Sequence, residues 1–241
     1  MSLNVKKTHF VIFKAKNKKM ATNINIKIGD QSIEQVNNTN FLGLNIDQDL
    51  SWKHHIKEVT SKISKLSGIM IRVRHYLPLK TLQTIYNALV YPYLTYCNVV
   101  WASTYSSRLE SIHKTQKKIV RIITFSKYLQ ETRPILLSLG LLTISELNSY
   151  LSVLFMFSYF SGSLPSAFSD YFSRNNTIHM LYTRSVNNLH IKFKQTNYGR
   201  FSVKCRGAII WNSLPNSLKE IKSFQLFKRK LKRFVQQHAI S

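Results

Sequence analysis

Negative charge is scarce in this chain: ten Asp plus Glu stand against thirty-five Lys plus Arg, a formal net charge of +25 over 241 residues. The ten acids are scattered, which argues against the clustered carboxylates that two-metal chemistry requires. Glycine is also sparse, at seven residues, and none builds a Gly-rich phosphate loop. The two cysteines, Cys97 and Cys205, lie 108 positions apart without C-x-x-C spacing. That supports neither a disulfide framework nor a cysteine-based zinc site, and it fits a reducing compartment. Long hydrophobic runs are missing too. The longest near-apolar stretch, Tyr150 to Phe160, falls short of the roughly 20 residues a helix needs to span a bilayer, so no transmembrane segment is expected. The opening Met1-Ser-Leu-Asn-Val-Lys-Lys7 has no signal-peptide apolar core. A soluble intracellular chain, in the nucleus or the cytoplasm, is the expectation.

What is present is enough to fold. Apolar residues make up 44% of the chain and aromatic residues 12%, sufficient for a substantial core. The positive charge is not confined to a tail, because residues 1–125 carry nineteen basic and six acidic side chains and residues 126–241 carry sixteen and four. A surface this basic attracts polyanions and releases their counterions on binding, so the expected partner is RNA, DNA or an RNA/DNA hybrid.

The first fifty residues alternate in the period of strands. His9-Phe-Val-Ile-Phe13 and Asn23-Ile-Asn-Ile-Lys-Ile28 are broken by Gly29-Asp30 and Asn37-Asn38, which predicts a small antiparallel sheet. Lys14 to Lys19 reads as a hairpin loop, either a solvated turn or a phosphate contact. From Ser51, a plausible N-cap, the spacing becomes helical through Trp52, Ile56, Val59, Ile63, Leu66, Met70 and Val73. Pro78 ends this helix, and a second one runs from about Leu79 past Leu89 until Pro92 kinks or ends it. A third, from about Ser107 to Thr124, buries Leu109, Ile112, Ile119, Val120 and Ile123. Thr143-Ile-Ser-Glu146 is a capping box that opens a fourth, apolar nearly all round and ending near Gly162. Residues 163–200 read as an irregular connection, after which helices return at Phe201 to Trp211 and from Ser223 to about His238.

Three of these helices are basic on the side opposite their apolar stripe. The first carries Lys53, Lys57, Lys65 and Arg72; the third carries Lys114, Lys117, Lys118 and Arg121; the last carries Arg229, Lys232 and Arg233. A merely solvated face mixes Lys with Glu for i,i+4 support, and these faces carry almost no Glu. Unrelieved like charge calls for an external polyanion; for the terminal helix, with Phe224, Phe227 and Phe234, a membrane surface could serve as well. No catalytic residue emerges. Asp47 and Asp49, two apart on a strand, could share a metal but lack a third acid, and Asp49-Leu-Ser51 reads better as the approach to the helix cap. His54 and His55 point about 100° apart on a helix, unsuited to joint ligation, so no metal site is expected.

Several stretches, in order, resemble the reverse transcriptases of non-LTR retrotransposons, especially the jockey type. They are Leu3-Asn4 to Lys7-Thr8; Phe41-Leu42-Gly43 to Asp47; Leu50-Ser-Trp52 to Ile56; Tyr91-Pro92 to Cys97 with Trp101; Gln116-Lys117-Lys118; Tyr182-Thr-Arg184; and Ile210-Trp211-Asn212-Ser-Leu214-Pro215 with Phe224, Phe227 and Leu231. Each motif is weak alone, and their order and spacing give the joint signal. The resemblance implies RNA-directed DNA synthesis with two Mg²⁺ held by palm aspartates. Those aspartates belong to motifs that precede the Leu3-Asn4 segment, so the chain by itself is expected to bind no cofactor and to be inactive. By position, Lys7 resembles the lysine near the incoming nucleotide, and Phe41, Leu42 and Gly43 resemble the primer grip.

The expected fold is α+β and mostly α: palm-remnant strands over 1–50, a thumb-like helical bundle over 51–125, and further C-terminal helices over 126–241. The expected role is a nucleic-acid-binding fragment of a reverse transcriptase, with a separate palm-containing chain as a conceivable partner. A remnant without selected activity, or a basic adaptor at a protein or membrane surface, stays open beside it.

Overall fold

The computed structural model describes residues 4–5, 8–13, 24–178, 186–192 and 194–238. It is mostly helical with a few short strands, and it divides into two compact units, residues 1–58 and 59–241.

In the first unit the strands pair in twos. β1 (His9–Phe10) lies parallel to β4 (Glu34–Gln35), β2 (Lys27–Ile28) antiparallel to β3 (Gln31–Ser32), and β5 (Asn38–Phe41) antiparallel to β6 (Leu44–Asp47). The single antiparallel sheet expected from the sequence is therefore replaced by three separate pairs, one of them parallel. Alternation reports which way side chains point and says nothing of which strand lies alongside. Only β5–β6 is a four-residue ladder, pairing Asn38 with Asp47 and Phe41 with Leu44. Leu42 and Gly43 turn it with φ of 48° and 79°, the two positive values of a type I′ hairpin. Exposed apolar side chains are frequent in this unit, with Phe13, Ile24, Phe41 and Leu42 at 54%, 46%, 61% and 71%.

A leucine in the left-handed region costs roughly 1–2 kcal/mol, whereas asparagine is at home there. Leu42→Asn should therefore slow amide exchange across 38–47 several-fold. Unchanged exchange would show that Leu42 is not strained.

Asp47 ends the hairpin and starts the long helix. Its Oδ1 accepts the amides of Asp49 (3.2 Å) and Ser51 (2.8 Å), and its Oδ2 accepts the Ser51 hydroxyl (3.1 Å) and the Trp52 amide (2.8 Å). Ser51 shares the capping expected of it, its Oγ accepting the Lys53 amide at 3.4 Å. α1 then runs Lys53–Val73.

The second unit is built around α7 (Ile144–Phe160). The capping box read from the sequence opens it: Thr143 Oγ1 accepts the Glu146 amide and Glu146 Oε2 accepts the Thr143 amide. Glu146 also pairs with Arg133, whose other nitrogen donates to Gln236 O at 2.7 Å. α7 packs against α3 (Tyr91–Thr95), α4 (Asn98–Trp101), α5 (Ser106–Ile123), α9 (Val203–Ser213) and α11 (Phe224–Gln237). Its nearly all-round burial matches its composition. Against α9 the approach is close enough that a Cβ on Gly207 would stand 2.9 Å from Met156 Sδ.

The helix expected from about Leu79 past Leu89 is divided before Pro92. α2 (Leu79–Ile85) passes into a π-helical turn (Tyr86–Val90), where the Tyr91 amide bonds Tyr86 O five residues back. Pro92 has no N–H with which to close the next α-type bond, which relaxes the ladder at this point. The turn aims Tyr86 inward, 1% exposed, where its hydroxyl accepts Gln116 Nε2 at 3.0 Å. The same amide group donates to Leu142 O (2.8 Å) and accepts from Ile144 N (3.2 Å), so one buried glutamine joins α5, the π turn and the start of α7.

Burial pushes the Tyr86 hydroxyl up to about 12, with the Gln116 bond partly opposing, and pushes Tyr150 up as well. Both raised values lie above the unfolded value near 10, so the stability they carry is complete below pH 10 and lost as pH rises through the folded values. Urea midpoints should fall steeply from about pH 10 upward, at up to about 1.4 kcal/mol per pH unit for each group, and Tyr86→Phe should soften the fall. A flat alkaline profile would contradict this burial.

The remaining short helices are α6 (Arg133–Ser138), α8 (Asn197–Phe201) and α10 (Asn216–Lys219). Residues 163–178 and 186–192 are irregular apart from two 3₁₀ turns, but α8 starts at Asn197, inside the stretch 163–200 expected to be irregular, with the Thr196 side chain capping it. Among the described residues no helix is long and apolar enough to cross a membrane.

Candidate nucleic-acid interface

The clearest cationic site in the second unit is a groove of about 640 Å³ between the C-terminal half of α1, α5 and the loop after α5. α5 lies on its stripe as read from the sequence, with Leu109, Ile112, Ile119, Val120 and Ile123 buried. That burial rotates Lys114, Lys117, Lys118 and Arg121 into one row along the groove. Arg74, just past the end of α1, adds a fifth cation, and no carboxylate lines the site.

Two of the five cations are held in place. Arg121 donates through Nε and Nη2 to Gln130 O at 3.1 and 2.9 Å and sits 5.9 Å from the centre of the Tyr128 ring. Arg74 donates to His75 Nε2 at 3.2 Å and lies 4.9 Å from the centre of the Phe125 ring. Of the lysines, Lys114 reaches Glu110 at 3.7 Å, an exposed i,i+4 pair of small energetic weight. Beside the cations stand two solvent-facing rings, Tyr128 (84% exposed) and Phe125 (54%). Such rings offer stacking faces to unpaired bases, and the cations offer contacts to phosphate oxygens. Partial burial, helped by neighbouring Lys117, lowers the His113 pKa, which leaves the charge here to Lys and Arg.

The other basic residues named from the sequence distribute differently. Lys65 and Arg72 are exposed on α1 but do not line the groove. Lys53 and Lys57 are exposed on the part of α1 that belongs to the first unit. Arg229 and Lys232 line a separate cleft on α11, while Arg233 is exposed outside both. Phe41, Leu42 and Gly43 form the β5–β6 tip. Lys7, Lys14 to Lys19 and Tyr182 to Arg184 lie outside the described residues.

Sequence reasoning missed Arg74, Phe125 and Tyr128. Arg74 follows the last stripe position Val73 and was the one signal available; the two rings sit in a loop without period.

The residues present do not fit the Mg²⁺ pair that the resemblance implies. Both oxygens of Asp47 are taken by four hydrogen bonds, and among the described residues no three His, Cys, Asp or Glu gather as a ligand set. His55 is buried and accepts the Asn45 amide on Nδ1 at 3.4 Å, while its neighbour His54 is exposed. Cys97 is exposed, Cys205 is buried, and both are free thiols. Comparison with family models, with curated proteins and with solved structures gives no match.

Proposed function

We propose that this chain binds nucleic acid through the α1–α5 groove, holding the phosphate backbone without reading sequence. The observation that carries the reading is five cations converging on one groove that has no carboxylate in its lining. Groups of one sign repel, and a polyanion supplies the missing countercharge. Backbone contacts of this kind give affinity and register, and the Phe125 and Tyr128 rings would favour a site with single-stranded character.

This reading accords with the resemblance to non-LTR reverse transcriptases, in which the helical region would be the thumb and the β5–β6 tip the primer grip. It assigns nucleotide transfer to none of the described residues.

Titration of the full chain against a fluorescent RNA/DNA hybrid at several salt concentrations tests it. Five phosphates neutralised predict a log-log slope of about −4 to −5. A slope near zero would remove the reading and favour a protein-binding adaptor.

A further inference from the structure

A second cleft, sharing no lining residue with the α1–α5 groove, lies between α11, the turn that joins α6 to α7, and the π-helical turn. Its volume of about 830 Å³ is that of a small-molecule site. Lys228, Arg229 and Lys232 enter it from two successive turns of α11, and its lining contains no acid. Lys228 and Lys232 stand one turn apart, about 5–6 Å between Cβ atoms.

The opposite wall is fixed. Gln83 Nε2 donates to Leu139 O at 2.7 Å, tying the α6–α7 turn to α2. Gly140, in the left-handed region at φ +63°, completes that turn, and Lys232 Nζ reaches over it to 4.0 Å from the place a Cβ would occupy. Burial and the neighbouring Lys228 lower the pKa of Lys232, the signature of a cation held close to a like charge without a counter-ion of its own.

A further observation concerns the floor. Tyr150 lines the cleft and is only 4% exposed. Its phenolic hydroxyl is a donor that a ligand in the cleft can use. Tyr91 brings a second hydroxyl to the same lining, and burial raises the pKa of both, so each stays a donor at neutral pH.

We propose that this cleft binds a small polyphosphorylated ligand, its phosphate oxygens accepting from Lys228, Arg229, Lys232 and the Tyr91 and Tyr150 hydroxyls. Three cations and two neutral donors converge on a space too small for a duplex, and multiply charged phosphate is the anion that uses all of them. A nucleoside triphosphate and an inositol polyphosphate share this chemistry. The site goes beyond the nucleic-acid groove and does not depend on it.

The test is calorimetric titration of the full chain at physiological salt with inorganic tripolyphosphate, ATP and inositol hexakisphosphate in separate arms. Saturable one-to-one binding is expected. The Lys228→Glu/Lys232→Glu variant should weaken it at least about a hundredfold, since each charge-assisted contact is worth about a factor of ten. Tyr150→Phe removes only an oxygen and keeps the packing; it should cost about tenfold with no loss of thermal stability in the free protein, so it guards against misfolding of the double variant. Tighter binding of ATP than of tripolyphosphate would assign the apolar lining to a base, and tighter binding of inositol hexakisphosphate would assign the site to a compact polyanion. The proposal falls if no arm saturates, if Tyr150→Phe binds like the parent, or if charge reversal on α5 (Lys117→Glu/Lys118→Glu) abolishes binding equally. That last variant separates the two sites, because it should spoil hybrid binding alone.

Discussion

Reversing Lys114, Lys117 and Lys118 to glutamate is expected to weaken binding of an RNA/DNA hybrid by about two to three orders of magnitude at moderate salt and to flatten the salt slope by about 2–3. The three lysines are the groove cations with least structural duty. Lys114 and Lys118 are exposed and Lys117 is partly so, and among the described residues only Lys114 of the three has an ion-pair partner, the weak one with Glu110. Arg121 is left out of the set because its guanidinium holds Gln130 O twice, and reversing it would also release the loop that carries Tyr128. The variant should melt at or slightly above the parent temperature, since relieving self-repulsion along α5 offsets the loss of the Lys114–Glu110 pair. Hybrid binding at parental strength with an intact slope would place the nucleic acid elsewhere. Arg121→Lys is a useful companion: it keeps the charge and loses the two-nitrogen grip, so a drop in affinity with an unchanged salt slope would report loss of loop position.

Gln116→Leu is expected to be among the most damaging single substitutions in the chain, at about 3–5 kcal/mol. The side chain is 1% exposed and makes three hydrogen bonds. Leucine fills most of the volume but strands the Tyr86 hydroxyl, the Leu142 carbonyl and the Ile144 amide, at about 1–3 kcal/mol for each unpaired buried group. A domain of this size has about 5–15 kcal/mol in all. Adding Tyr86→Phe should recover about 1–2 kcal/mol, because the stranded hydroxyl is then gone. Urea unfolding of the parent, the single variants and the double variant supplies the cycle. Additive losses would mean that Tyr86 and Gln116 do not depend on one another.

The parts of the fold legible in the sequence are those governed by neighbours along the chain. The α5 stripe, the Thr143–Glu146 capping box and the apolar α7 are local patterns, and each appears where its spacing put it. The parts not legible depend on partners distant in sequence. Alternation in 9–13 could not disclose that β1 would lie parallel to β4, some twenty-five residues on. The π turn follows from Pro92 acting together with a pull on Tyr86 from Gln116, thirty positions away. Basic faces were legible as faces, but their sorting into sites was not. Arg121 was drawn off to Gln130, Arg74 was recruited from beyond the stripe, and Arg229 and Lys232 were turned toward Tyr150 from more than seventy residues away.

The tight seam between α7 and α9 bears on chemical ageing. Met156 is fully buried, and its sulfur stands only 2.9 Å from the place a Cβ on Gly207 would take. An oxygen on that sulfur has no room, and a sulfoxide is polar where its surroundings are not. Oxidant therefore reaches Met156 only in molecules whose seam has parted, and the modified molecules cannot reseal it. Peroxide would act on this protein as a ratchet, converting brief openings of its centre into a permanent record of how often they occur.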